Sequence, residues 1–277
     1  MARTIAYSVY SEAGGVGKTT LTANLGKAHS RAGEDVLLID LDPQEGSLSY
    51  LLDVERDTGD ADSLVRHLIG RPKGEFSDLI ETADGLDVIP SSPMLEDLLE
   101  YMIKAEMQDD DFDRYSQLHQ LLVREGVADE YDVIIVDPPA TAGVHLYNAI
   151  YATRSLVLPV ELSGKGQQSI EGLSALVEGM EDTLEIDVGV LAVVPNAVKG
   201  TADQDAYQER IEDVGYPAPV VINDRTSLMQ GCWDQQCTAF SFVEDHRSRK
   251  RDYEVETLEV IEALANHIET EVRGITV

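Results

Sequence analysis

Gly14-Gly15-Val16-Gly17-Lys18-Thr19-Thr20 is the stretch whose reading decides the fold. A short apolar segment, Thr4–Ser11, runs into it, and a segment of helical composition leaves it, from about Lys18 to Ala32, with Gly33 as the stop. Strand, glycine-rich turn and helix in that order let the backbone curl and point N–H groups at phosphate oxygens, helped by the positive helix end. In this pattern the Lys18 ammonium reaches β- and γ-phosphates and the Thr19 hydroxyl sits on Mg²⁺. Gly14, Gly15, Val16, Gly17, Lys18, Thr19 and Thr20 are therefore the candidate phosphate residues. A plain glycine turn capping a helix would not require the lysine and the paired threonines that complete the motif.

Beyond the turn, Asp35–Asp40 (DVLLID) is a continuous apolar run of the buried parallel-strand type, and Leu86–Pro90, Asp132–Val136, Ser155–Val160 and Val188–Val194 repeat it. Val220–Ile222 is a shorter instance. Strands separated by helical stretches predict an α/β fold, a mostly parallel twisted sheet with helices on both faces. No linker rich in Pro, Gly or Ser divides residues 1–277, no internal repeat is visible, and no helix-turn-helix precedes the first strand, so a single domain is expected. Residues 53–85 and 105–130 are charge-rich and are expected to carry helices and loops on the rim of the sheet. Val255, Leu258, Ile261, Leu264 and Ile268 recur at helical spacing within Tyr253–Val272, the pattern of a surface helix packed on the body.

The charge balance is far from even: 21 basic against 52 acidic residues, a net charge of −31. Such a chain either keeps away from polyanions or works in a cytoplasm of very high salt, where repulsion is screened. Only seven of the cations are lysine and the acids are spread along the chain, which favours the salt-adapted, halophilic reading. No run of 18 apolar residues occurs, and MARTIAYSVY has no charged-then-apolar leader pattern, so a cytoplasmic protein is expected. Cys232 and Cys237, with His246 nearby, lack a fourth ligand at a metal-site spacing, and Trp233 between them suggests packing, so the cysteines are expected to be buried as small apolar residues.

A Mg-dependent nucleotide site also needs carboxylates at neighbouring strand ends. Asp137 closes the run Val133–Val136, and Asp40 and Asp42 close DVLLID. Any one of them could cap a loop; three beside one phosphate loop point to metal and water handling. Taken together, GGVGKTT, LLIDLDPQ and YDVIIVDPPAT resemble the deviant Walker A, Walker A′ and Walker B motifs of the ParA/MinD ATPases. The resemblance covers most of the chain. It implies a Mg-ATP-dependent homodimer with nucleotide at the interface, slow hydrolysis, Asp42 as the water-positioning aspartate and Asp40 as its metal-proximal neighbour. Thr19, Asp42 and Asp137 form the expected metal set, and Lys18, Asp40 and Asp42, with Lys165, the catalytic one.

One departure stands out. The family places a lysine just before its glycines, and that lysine reaches across the dimer to the partner's ATP; here the position is Ala13, after Glu12. The carboxysome-positioning McdA ATPases resemble this chain in lacking it. Lys165, between Gly164 and Gly166 just after SLVLPV, is the candidate replacement, with a solvated loop lysine as the plainer alternative. By the same resemblance, Asn196 is a candidate partner for adenine, and Asn223 with Arg225 for closing over the ring.

Family members bind either DNA or membrane. Arg247, Arg249, Lys250 and Arg251 place four cations in five positions, a local inversion of charge suited to DNA phosphates, unless neighbouring acids pair with them. The last 26 residues hold a single Lys or Arg, so anionic lipid would repel them. The expected protein is a cytoplasmic, nucleoid-associated ATPase that moves a plasmid, chromosome or protein cargo over non-specific DNA, with an adaptor as activator. The alternatives are an iron–sulfur carrier or reductase, for which Cys232 and Cys237 lie late and lack C-x-x-C spacing, a MinD-like regulator without a membrane helix, and a P-loop enzyme acting on a small molecule. The acidic composition carries its own test. Raising KCl from about 0.2 to about 2 M should raise the melting temperature by roughly 5–15 °C, because screening relieves carboxylate repulsion; a fall would contradict the salt-adapted reading.

Overall fold

A computed structural model describes residues 4–54, 61–161, 164–199 and 215–274 and positions 209, 211 and 213, with the backbone alone for 164–171. Seven strands form one sheet: β1 (Ile5–Val9), β2 (Val36–Asp40), β3 (Glu81–Ala83), β4 (Leu86–Ile89), β5 (Val133–Asp137), β6 (Ser155–Glu161) and β7 (Gly189–Asn196). Their order is β3-β4-β2-β5-β1-β6-β7. All pairs are parallel except β3 with β4. The longer helices are α1 (Lys18–Ala32), α2 (Leu98–Glu106), α3 (Gln117–Arg124), α4 (Val144–Thr153), α5 (Gly164–Leu184), α6 (Thr226–Gln235) and α7 (Asp252–Arg273).

Alternate strand residues feed opposite layers, because successive side chains leave a strand on opposite faces. Tyr7, Leu38, Val88 and Ile135 pack with Leu25 of α1 and Leu264 of α7. Leu37, Ile39, Ile134 and Val136 pack the other way, with Met102 of α2 and Leu121 of α3. Leu158 and Val193 meet Ile150 of α4 and Val177 of α5. Both faces are thus covered, which is why β2 and β5 are buried at every position and read as unbroken apolar runs. α1 stops at Gly33, whose φ of 98° lets its N–H bond back to the carbonyls of His29 and Ser30. His29 joins α1 to α7: its Nδ1 lies 2.8 Å from Glu269 Oε1 and its Nε2 3.1 Å from the Tyr7 hydroxyl. No helix among the described residues is long and apolar enough to cross a membrane.

The structure departs from the sequence reading in three places. Val220–Ile222 forms no strand of the sheet, although it lies beside the end of β7: the Ile222 N–H bonds Pro195 O at 2.8 Å, Ile222 O takes the Val198 N–H at 3.1 Å, and one bridge joins Val198 to Asn223. Pro217 and Pro219 precede it and supply no N–H to a ladder. The antiparallel β3 was not foreseen. Val255 of α7, expected to pack, is 37% exposed, whereas Ile261, Leu264 and Ile268 are buried.

The β3–β4 hairpin turns through Asp84 and Gly85, both left-handed at φ 52° and 71°. Asp84 also clamps the hairpin to the body. Its carboxylate accepts from the Thr238 N–H at 2.9 Å and from the Ser241 hydroxyl, and Lys27 of α1 lies 3.5 Å away. Burial pushes this carboxyl up, but the hydrogen bonds from Ser241 and Thr238 and the Lys27 charge outweigh it, and its pKa is lowered. A depressed folded pKa contributes stability that is present at neutral pH and lost as pH falls below the usual carboxylate range. Asp84→Asn keeps a residue that tolerates the left-handed turn, so it isolates the charge. It should cost about 1–3 kcal/mol at pH 7 and flatten the acid limb of the stability profile below about pH 4, measured by urea unfolding.

Candidate nucleotide site

The glycine-rich turn joins β1 to α1 at the C-terminal edge of the sheet, between the ends of β5 and β6. Gly15 and Gly17 adopt φ of 79° and 88°, which turn the chain back over the helix start. A Cβ on Gly17 would come within 2.5 Å of Asn196 Nδ2, whereas one on Gly14 or Gly15 would meet open space. α1 begins without a side-chain cap and without an acidic residue in its first turn. In a chain with 52 acids that leaves bare N–H groups and the positive helix end facing the loop, the physical requirement for a phosphate site. Lys18 lies beneath the loop, 9% exposed, and Thr19 is half-buried beside it.

Asp40 and Asp137 end adjacent strands as register partners. Asp40 is fully buried and its oxygens are occupied: Oδ2 accepts from the Ser47 and Ser49 hydroxyls at 2.6 Å each and the Ser49 N–H at 2.8 Å, and Oδ1 from the Asp42 N–H at 3.0 Å. It fixes the loop after β2. Asp42, half-buried on that loop, accepts from the Gln44 N–H at 3.0 Å, and its carbonyl takes the Ser91 hydroxyl at 2.6 Å. Asp137 is 1% exposed; Oδ1 takes the Thr22 hydroxyl at 3.2 Å, and Oδ2 has no hydrogen-bond partner. Burial, then the Asp40 charge, push the Asp137 carboxyl up to about 8, against the pull of Thr19 and Lys18. The three carboxylates expected beside the phosphate loop lie close enough for Asp40 and Asp42 to act on Asp137, but they form no metal cluster by themselves. Among the described residues no three acidic, histidine or cysteine side chains are placed to hold an ion together. The orphaned Asp137 oxygen beside Thr19 instead suits Mg²⁺ that arrives with phosphate, held by the Thr19 hydroxyl with Asp137 behind it.

Next to the loop lies a cleft of about 310 Å³, with Val16, Thr20 and Leu21 on one wall and Ile222, Met229 and Trp233 on the other. Its size and apolar walls suit a nucleoside. Asn196 lines it, and its amide ties the phosphate loop to β7: Nδ2 donates to Val16 O at 2.7 Å and Oδ1 accepts from the Ala197 N–H, which leaves one Nδ2 hydrogen for a base. Asn223 is exposed at the rim. Arg225 lines the cleft while its guanidinium engages α7, bonding Thr257 at 3.2 Å and lying over the Tyr253 ring. Trp233 was read from sequence as packing only. It faces the cleft on α6, donates from Nε1 to Thr20 Oγ1 at 3.1 Å, and stacks on Tyr50. Its one legible signal was helical phase with Met229, four residues earlier.

The remaining expectations divide. Lys165 falls in the first turn of α5, not in a loop, and its side chain lies outside the described residues. Ala13 is exposed, and its N–H bonds the Ser11 hydroxyl. The basic cluster loses a member: Arg247 forms an ion pair with the fully buried Glu254 at 2.7 Å and covers the Phe242 ring, so it belongs to the core. Arg249, Lys250 and Arg251 stay exposed, Arg251 bonding the Tyr253 hydroxyl. Cys232 and Cys237 are both free and buried, with burial pushing their thiols up to about 12 and about 11.

Fold and site together define a P-loop nucleotide-binding protein. Residues 2–188, more than half the chain, match the AAA domain family. The sporulation initiation inhibitor protein Soj of Bacillus subtilis is 33% identical over 172 residues, and the match covers 61% of this chain and 62% of Soj, less than two thirds of that relative. The virulence plasmid ParA family protein pGP5-D of Chlamydia psittaci is 31% identical over 190 residues, 66% of this chain and 68% of that one. The chain belongs to the ParA/MinD family of P-loop ATPases. The ATP complex of an McdA variant from Cyanothece shares the fold, with a TM-score of 0.76 at 21% identity over 100% of this chain and 99% of that one.

The raised Asp137 pKa has a measurable sign. A folded pKa above the unfolded one gives stability that is present in acid and lost as pH rises toward about 8. Asp137→Asn should therefore stabilise the nucleotide-free protein at pH 8 by on the order of 2–4 kcal/mol, read by urea unfolding, with a shrinking gain toward pH 4. Equal stability at both pH values would contradict the assignment.

Proposed function

We propose that the chain is a Mg-ATP-dependent ATPase that dimerises around its nucleotide and positions or segregates a cargo over DNA in the cytoplasm, associated with the nucleoid. The observation that carries the reading is the acid-free start of α1 behind the left-handed turns at Gly15 and Gly17, with Lys18 buried under the loop. Backbone N–H groups of residues 14–20 would hold the β- and γ-phosphates, and Lys18 would balance their charge. Thr19 would ligate Mg²⁺, with Asp137 taking a water on it; bound Mg²⁺ supplies charge neutralisation between the two phosphates. Asp42 would orient the attacking water, and Asp40 positions Asp42 rather than touching nucleotide. The base would lie between Leu21 and the α6 wall, with Asn223 at its edge.

The family membership supports slow hydrolysis and partner stimulation, and the name of one relative, a virulence plasmid ParA family protein, supports a plasmid-type cargo. With Ala13 unable to reach a second nucleotide, Lys165, at the C-terminal edge of β6, is the proposed trans cation. For DNA, three exposed cations remain where the sequence suggested four. That predicts a slope of log K against log salt of about −2.7, so binding rests on many dimers acting on one nucleoid.

The test is turnover, dimerisation and gel shift on one preparation. Wild type should hydrolyse ATP only with Mg²⁺, and Lys18→Ala should lower the rate by about 10²–10³-fold. Lys165→Ala should abolish the ATP-dependent dimer. DNA retention should need ATP and vanish when Arg249, Lys250 and Arg251 are replaced by alanine. Turnover that survives Lys18→Ala would overturn the site; no DNA shift at low salt would remove the DNA step alone.

A further inference from the structure

α2 exposes an apolar stripe. Leu99 is 49% exposed, Ile103 38% and Met107, one residue past the helix end, 82%, and these are three of the six large apolar side chains exposed among the described residues. Spaced four apart, they lie on one face over about 12 Å. Leu98 and Met102 on the adjoining face are fully buried and seat the helix on the body, which leaves the stripe outside. Beside it runs an open groove of about 520 Å³ with Glu96, Asp97 and Glu100 on its rim, and exposed Asp109, Asp110 and Asp111 follow the helix. Lys104, the one cation of the groove, is paired with Glu100.

We propose that this face docks a partner protein through an amphipathic helix whose apolar seam is flanked by lysine or arginine. An apolar stripe with a polar rim marks a binding surface, and an exposed methionine lets it adapt to its ligand. The rim decides the occupant. An anionic bilayer is repelled by it, and a second copy would set the same acids against one another, whereas flanking cations are complementary. α2 is also tied to the nucleotide edge: His145 Nε2 lies 2.7 Å from Leu95 O, and Ser91 Oγ bonds Asp42 O at 2.6 Å, both on the segment leading into α2. Docking itself needs no nucleotide and stands apart from the ATPase reading.

The experiment titrates the full chain, without nucleotide, into two labelled synthetic peptides of the same leucine and lysine composition, one patterned as an amphipathic helix and one scrambled. The patterned peptide should bind at least about tenfold more tightly, since charge alone cannot distinguish the two. Leu99→Glu or Ile103→Glu should erase that preference; both positions are exposed, so melting curves should match wild type. The double variant Glu96→Gln, Glu100→Gln leaves the apolar positions untouched and should weaken the patterned peptide and reduce its salt dependence. Equal binding of both peptides, or a preference that survives Ile103→Glu, would overturn the proposal. So would self-association or recruitment to anionic vesicles that Ile103→Glu abolishes, since either assigns the face to another occupant.

Discussion

Two carboxylates, Asp40 and Asp137, end neighbouring strands side by side, one saturated with hydrogen bonds and the other left with a bare oxygen. Most of the site's architecture follows from this asymmetry. Asp40 can remain buried because Ser47, Ser49 and the Asp42 N–H surround it, and in being satisfied it folds the loop after β2 into one shape. Ser49 extends the tie by accepting the Ser91 N–H, which joins that loop to the end of β4. Asp137 has no such cover, and its neighbour's charge makes ionisation costlier still. On the function proposed above, a metal arriving with phosphate beside Thr19 would complete this edge.

The opposite sign of field is built a few ångströms away. The chain is acidic almost everywhere, yet α1 starts with no acid in its first turn, and Lys18 is held under the loop. The strongly negative surface and the small positive cradle are complementary: the former discourages casual polyanion binding, and the latter gives anions one address. The same economy of positive charge would restrict the proposed DNA surface to Arg249, Lys250 and Arg251, because Arg247 neutralises the buried Glu254.

The phosphate loop and most strands were legible because their signals are local. A glycine that must be left-handed, a lysine before paired threonines, and a run of β-branched residues each announce themselves over a few positions. What failed was non-local. Nothing near Arg247 states that Glu254 will be buried against it, and nothing near Asn196 states that it will also tie the phosphate loop through Val16 O. The strand expected at Val220–Ile222 shrinks to a few bonds around Ile222 and one bridge, because Pro217 and Pro219 just before it have no N–H to extend the ladder. β3 is polar and only three residues long, so its sole mark was the Asp84-Gly85 turn. Trp233 read as packing because only the folded chain brings α6 alongside Thr20.

The central claim is that Gly14–Thr20 and the neighbouring cleft form one nucleotide site. The chain has a single tryptophan, Trp233, and it bonds to Thr20 inside that cleft. Its fluorescence measured against Mg-ATP concentration is therefore the most direct reading. The account predicts a saturable change at one nucleotide per chain, reversed when EDTA removes Mg²⁺. A tryptophan signal that stays flat to millimolar Mg-ATP, with no heat of binding in parallel calorimetry, would contradict it.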